Sequence, residues 1–123
     1  MGRKDAAVSF LKLAGFGQTD DAFAKFIAPS FIHHNQYFPG DRESLKSAMA
    51  EAHRASPNER IDVNRVLEDG DFVVTHSLVA RSTPGEPDIA VVHIFRFEGD
   101  KVAELWDLGQ LVDTNSPNEN GPF

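Results

Sequence analysis

The chain has 123 residues, a formal net charge of −7 and no cysteine. This length predicts one domain over residues 1–123, with residues 114–123 as a loose tail. The surplus of negative charge argues against nucleic acid or an anionic membrane as a partner, and the lack of cysteine excludes disulfides and thiol catalysis. No run approaches the roughly 20 apolar residues of a membrane span, so we expect a cytoplasmic protein.

Three helices are predicted in the first half of the chain. Apolar residues at i, i+3, i+4 and i+7 spacing predict a helix over residues 4–14, which the following glycines end. Thr19 is the predicted N-cap of a second helix, and Pro29 stops that helix. Asp41 is the predicted N-cap of a third helix, which ends at residues 56–58.

From residue 61 onward the hydrophobic pattern has a period of two, which is typical of strands. It predicts four strands, over residues 61–68, 71–81, 89–97 and 101–112. An Asp69-Gly70 turn joins the first pair of strands. Helices followed by an antiparallel meander predict an α+β fold, in which three N-terminal helices pack on a strongly curved antiparallel sheet and enclose a cone-shaped pocket.

Two segments resemble motifs of one protein family. Residues 32–43, IHHNQYFPGDRE, are similar to a QHNPxxxDGRE element, and residues 91–107, VVHIFRFEGDKVAELWD, are similar to VVDIFRFxxGKIxEHWD. Both elements are typical of SnoaL-like proteins of the NTF2-like superfamily, whose founding members are polyketide cyclases. The resemblance covers nearly the whole chain and implies the NTF2-like cone. It does not imply one reaction, because the superfamily includes cyclases, isomerases, dehydratases, epoxide hydrolases and binding proteins.

The chain departs from the family pattern at two positions. His93 stands where many relatives have Asp, and the polyketide cyclases carry a His near this position, paired with the Trp-Asp carboxylate. Leu105 stands where the common pattern has His. The first departure resembles the cyclase arrangement, and the second removes a polar group from the strand.

The register of the last hairpin decides whether the candidate catalytic residues meet. A three-residue turn places His93 opposite Asp107, whereas a two-residue turn places it opposite Trp106. We expect the first register, because it also sets Phe95 beside Leu105 on the core face. Keeping a carboxylate charged among apolar strand residues costs free energy. A sequence that retains such a residue is typical of a functional site.

The resemblance implies acid–base chemistry, without a cofactor, on a small hydrophobic carbonyl compound. Asp107 and His93 are the expected catalytic residues, with Asp107 moving the proton beside the carbonyl group. His93, His34 or Asn35 would hydrogen-bond the enolate oxygen. The expected substrate-binding residues are His34, Asn35, His76, Trp106, Tyr37 and Phe38.

Other interpretations stay open. The chain could be a non-catalytic binding module for an apolar ligand, or an epoxide hydrolase or dehydratase of the same fold. An epoxide hydrolase of this fold implies an Asp-Arg-Asp arrangement, whereas a single inward Asp is expected here. No metal is expected, because no compact metal motif is formed by the candidate ligands His34, His76, His93 and Asp107.

We expect a homodimer, because the outer face of the sheet would otherwise expose Val, Ile and Phe. We expect Arg81 and Arg96 to lie on this outer face as well, either in contact with solvent or within a subunit interface.

Overall fold

The computed structural model describes all 123 residues, which form three helices and one five-stranded sheet. In chain order the elements are α1 (Arg3–Gly15), α2 (Thr19–Phe26), β1 (Ile27–His33), α3 (Arg42–Ala55), β2 (Asn58–Asp69), β3 (Phe72–Arg81), β4 (Ile89–Glu98) and β5 (Lys101–Leu111). The strand order is β1-β5-β4-β3-β2. None of the three helices has the length and apolar character needed to cross a bilayer.

The predicted α+β cone is confirmed, but its sheet is mixed rather than purely antiparallel. The four predicted strands form an antiparallel meander, and a fifth strand, β1, pairs with β5 in parallel. The sequence predicts only a short extended segment over residues 31–39, whereas β1 spans Ile27–His33, because Pro29 lies within the strand and indicates the end of a helix. Pro lacks an N–H group, and β1 tolerates it because it is an edge strand.

One of the two predicted helix caps is confirmed. The carboxylate of Asp41 accepts hydrogen bonds from the backbone N–H of Ser44 at 3.0 Å and from its hydroxyl at 2.6 Å. These bonds lower the pKa of Asp41. Thr19 is instead the first residue inside α2, after the N-cap Gln18, and its buried hydroxyl has no partner in the protein. The helix therefore begins one residue earlier than the cap pattern indicated.

Phenylalanine rings fill one end of the cone. Phe10 of α1 packs edge-on against Phe23 of α2, with ring centroids 5.6 Å apart, and against Phe95 of β4 at 6.2 Å. Phe97, the next inward residue of β4, is also buried. The inward residues nearer the start of β4 face a cavity instead, so the aromatic core closes one end of the cone and leaves the other open.

Candidate functional site

The hairpin of β4 and β5 places the two predicted catalytic residues opposite each other, because His93 pairs with Asp107. The register is as expected, but the predicted three-residue turn is wrong. The turn consists of Gly99–Asp100, with Gly99 at a φ of 62° that suits glycine. A register shift between Arg96 and Phe97 adds one residue on β5. This bulge, rather than a longer turn, aligns the pair.

The open end of the cone is a cavity of about 1060 Å³. Its walls are the inner face of β3 to β5, the end of α1 and one side of α3. Only ten of its 22 lining residues are hydrophobic, so the cavity as a whole suits a ligand with polar groups as well as apolar ones. Asp107 is the only acidic residue in this lining.

A chain of hydrogen bonds orients the Asp107 carboxylate. The Nδ2 group of Asn35 donates to Oδ2 of Asp107 at 3.0 Å, and the Oδ1 of Asn35 accepts from the backbone N–H of Tyr37 at 2.9 Å. Both ends of the amide are thereby occupied, which fixes its NH₂ group toward the carboxylate.

His33 supports the same loop from beneath. Its Nδ1 atom accepts from the backbone N–H of Asn35 at 3.1 Å, and its Nε2 atom lies 2.6 Å from the carbonyl oxygen of Pro39. Because Nδ1 accepts, Nε2 carries the proton and donates to Pro39. The residue is buried, and it is not among the predicted site residues. Its alternation with the buried Phe31 on β1 is the signal that could have found it.

The His93 ring is enclosed beside Phe95, with ring centroids 5.9 Å apart. Its Nδ1 atom is buried and has no hydrogen-bond partner in the protein. Burial lowers the pKa of His93 from 6.5 to about 4, although the charge of Asp107 acts in the opposite direction. The ring is therefore neutral at neutral pH.

Two buried hydroxyl groups lie on β3, on the same inner face of the sheet as His93 and Asp107. Thr75 on β3 pairs with His93, and Ser77 pairs with the neighbouring Val91. Both hydroxyl groups are buried and have no partner in the protein. Strand alternation in β3 places them on the inner face, and this signal was available in the sequence.

The other predicted binding residues divide between the two faces. Asn35 and Tyr37 line the cavity, and Tyr37 is highly exposed at its mouth. Phe38 lines a smaller pocket beside Asp107. His76 lies on the outer face instead, against the ring of Phe123 at 4.8 Å. Its expected place in the pocket wall is not observed, because it alternates with the inward Thr75 and Ser77.

His34 and Trp106 border the rim of the cavity, but their contacts lie on the outer face. The two rings stack at 4.8 Å, and Nε2 of His34 lies 2.6 Å from Oε2 of Glu104. Glu104 also accepts from Nε of Arg96 at 2.9 Å, and the hydrogen bonds from His34 and Arg96 lower its pKa. The side-chain contacts of His34 and His76 therefore lie on the opposite face of the sheet from the paired His93 and Asp107.

Arg81 lines the cavity, contrary to its predicted place on the outer alternation. Its Nη2 atom donates to the carbonyl oxygen of Ser56 at 2.9 Å and lies 3.3 Å from Glu86. Arg81 is separated by even steps from Thr75 and Ser77, so regular alternation places it inward with them.

Known proteins resemble this chain in fold more than in sequence. A SnoaL-like domain model matches residues 13–105, whereas no curated protein sequence matches the chain. An NTF-2 like protein of unknown function from Burkholderia xenovorans LB400 is 17% identical, with a TM-score of 0.72 over 94% of this chain and 88% of that one. A provisionally assigned polyketide cyclase from Acidithiobacillus ferrooxidans is 20% identical, with a TM-score of 0.72 over 88% and 87%.

An LEH-like epoxide hydrolase from Mycobacterium tuberculosis is 15% identical, with a TM-score of 0.69 over 88% of this chain and 82% of that one. These identities support a shared fold and leave the reaction open. Because the domain model covers most of the chain, the protein belongs to the SnoaL-like family.

Proposed function

We propose that the protein is a cofactor-independent enzyme that moves a proton beside the carbonyl group of a small, partly hydrophobic compound. The observation that carries this proposal is the placement of Asp107 in the cavity, oriented by Asn35 and paired across the hairpin with His93. The SnoaL-like family and the cyclase-like neighbour support the same class of chemistry.

The Asp107 carboxylate acts as the general base in this proposal. It takes a proton from the carbon next to the carbonyl group, and the electron pair of that C–H bond moves to form an enolate. The protonated carboxyl group then returns the proton to another carbon, which is an isomerisation. Alternatively, the enolate attacks a second carbonyl group and the new alkoxide takes the proton, which is an aldol-type cyclisation.

His93 stabilises the enolate oxygen as a neutral hydrogen-bond donor. A ring with a pKa of about 4 is neutral near pH 7, so it carries a single N–H and is a weak proton donor in catalysis. A neutral imidazole can hold a developing negative charge without transferring its own proton. Asn35 keeps the base in place and has a second N–H for the same oxygen.

The Asp107→Asn substitution tests the assigned base. The amide has nearly the same shape, but it cannot accept a proton from carbon. We expect the exchange of α-protons for deuterium to slow by roughly 10²–10⁴-fold across a panel of ketones and β-ketoesters, measured by NMR in D₂O. Asp113→Asn, at an exposed position after β5, is the matched control and should exchange at the wild-type rate. Equal rates for wild type and Asp107→Asn would refute the role of Asp107.

A non-catalytic ligand-binding protein is the second candidate, and the large open cavity favours it. Tight binding of panel compounds without α-proton exchange or product would support this candidate. The epoxide hydrolase alternative has less support, because the cavity lining contains one Asp and the carboxylate partner of Arg81 is Glu86.

We also propose a homodimer formed through the outer face of the sheet. Its apolar residues include Leu67 and Phe72, which are 62% and 41% exposed, with half-buried Val74, Val92 and Ile94 beside them. Five strands spaced about 4.8 Å apart and ten residues long give a face on the order of 800 Å², which is the area each partner of a stable complex buries. A second copy in two-fold contact fits this face.

A further inference from the structure

The ligand space has a second compartment behind the catalytic pair. This deep pocket has a volume of about 120 Å³ and lies between α1, α3 and the sheet. Seven of its ten lining residues are hydrophobic, so its walls are more apolar than those of the large cavity. Phe10, Leu45 and Leu105, which are all buried, belong to these walls.

The catalytic groups stand at the junction of the two compartments. Asn35, His93 and Asp107 line both the large cavity and the deep pocket. A ligand whose reacting carbon lies beside Asp107 therefore has space for one substituent in each compartment. The two substituents meet different surroundings, which distinguishes the two sides of the ligand.

The size and chemistry of the deep pocket restrict the substituent that enters it. At about 30 Å³ for each water-sized group, 120 Å³ accommodates about four non-hydrogen atoms. Beyond the junction its walls offer no charged side chain, so a charged or strongly polar group would lose its water without compensation. An alkyl group of about four carbons satisfies both conditions.

We propose that the substrate is a carbonyl compound with a short alkyl group, of about four carbons, on its reacting carbon, and a larger, more polar body in the open cavity. This inference rests on the proposed function for the identity of the reacting carbon. The new element is that the protein selects its substrate by the length of one substituent.

Ala48 of α3 is the position at which a substitution tests the size of the deep pocket. It lines the deep pocket and is absent from the lining of the large cavity, whereas Met49 and Ala52 line both. A larger side chain at position 48 fills the deep pocket alone. Met49→Ala should instead lengthen the space available to the alkyl group.

The test measures the affinity of 2-alkyl β-ketoesters, with unbranched alkyl groups from one to eight carbons, by isothermal titration calorimetry. For wild type we expect affinity to rise about fourfold with each added methylene up to about four carbons, and then to fall. Ala48→Leu should weaken the butyl ligand at least tenfold and the methyl ligand less than twofold. Met49→Ala should move the optimum to a longer chain, which keeps the test decisive if Ala48→Leu does not fold.

Ala55→Leu is the matched control, because Ala55 is an exposed residue of the same helix that lines neither compartment. An affinity that keeps rising to eight carbons, equal effects of Ala48→Leu and Ala55→Leu, or no binding of any member would overturn the inference. Measuring α-proton exchange in wild type with the same compounds separates the two proposals. If the acid–base proposal alone fails, α-proton exchange is absent in wild type, but the chain-length optimum remains.

Discussion

His93 and His33 show how burial and hydrogen bonding give two imidazoles of one protein different properties. Both nitrogen atoms of His33 are engaged, by Asn35 and Pro39, so its ring is a fixed support. His93 has an unpartnered, buried Nδ1 atom and a pKa lowered to about 4. A charged His93 would lose its hydration, and the protein supplies no hydrogen bond to Nδ1 in its place. The charge of the nearby Asp107 offsets part of this desolvation free energy.

The lowered pKa predicts a loss of stability in mild acid. In the unfolded chain His93 binds a proton near pH 6.5, whereas in the folded protein its pKa is about 4. More protons bind to the unfolded state between these values, so the free energy of unfolding falls as pH decreases. We expect His93 to account for a loss of about 2 kcal/mol between pH 7.5 and pH 5, measured by urea unfolding.

His93→Gln should remove most of this difference while leaving the rest of the pH dependence. Glu104 and Asp41, whose pKa values are lowered, contribute stability that is lost only below their ordinary values of 4.5 and 3.8. Their effect therefore lies outside the window. The same pH 7.5-to-5 loss in wild type and His93→Gln would contradict the burial argument.

At the scale of helices and strands, end positions and irregularities place the site. Asp41 is the N-cap of α3, the helix that forms one wall of both compartments. The register shift in the β4–β5 hairpin keeps His93 opposite Asp107 after a short turn. Bulges of this kind also increase the local bend of a sheet, which suits a cone.

The two predicted caps should respond differently to substitution. Asp41→Ala removes an acceptor for the backbone N–H of Ser44 and should lower the free energy of unfolding by about 1 kcal/mol. Thr19→Val keeps the side-chain volume and removes a hydroxyl without a protein partner, so we expect a change below about 0.5 kcal/mol or a slight gain. Chemical unfolding of both variants gives the two free energies of unfolding to compare. A larger loss for Thr19→Val than for Asp41→Ala would reverse the assignment.

At the scale of the whole molecule, the sheet separates two functions. Its inner face holds the aromatic core and the cavity, and its outer face carries apolar residues together with the His34–Glu104–Arg96 group. The outer face is the one that we propose pairs with a second copy.

The homodimer proposal predicts a mass of twice the 13.6-kDa chain by light scattering coupled to size exclusion. Phe72→Glu should shift the protein to the monomer, because it places a charge within the proposed contact. Phe16→Glu is the matched control, since Phe16 is also 41% exposed but follows α1, outside the proposed contact. A monomeric wild type, or a dimeric Phe72→Glu, would disprove this interface.

Local patterns in the chain were sufficient for the α+β class, the three helices and the four strands of the meander. Helical spacing, strand alternation and turn residues act over a few positions and can be read directly. The expected pairing of His93 with Asp107 also followed from alternation and the match of Phe95 with Leu105, although the bulge that produces it did not.

Long-range pairing was needed for β1 and for the inward His33 and outward His34. The alternation of Phe31 and His33 shows which side chain faces the core only once the segment is known to be a strand, and Pro29 obscures that in the sequence. Parallel pairing with β5 sets that choice, because it fixes which residues of β1 alternate toward the helices. The two compartments likewise arise where helices and sheet leave space between them, and no sequence interval contains that information.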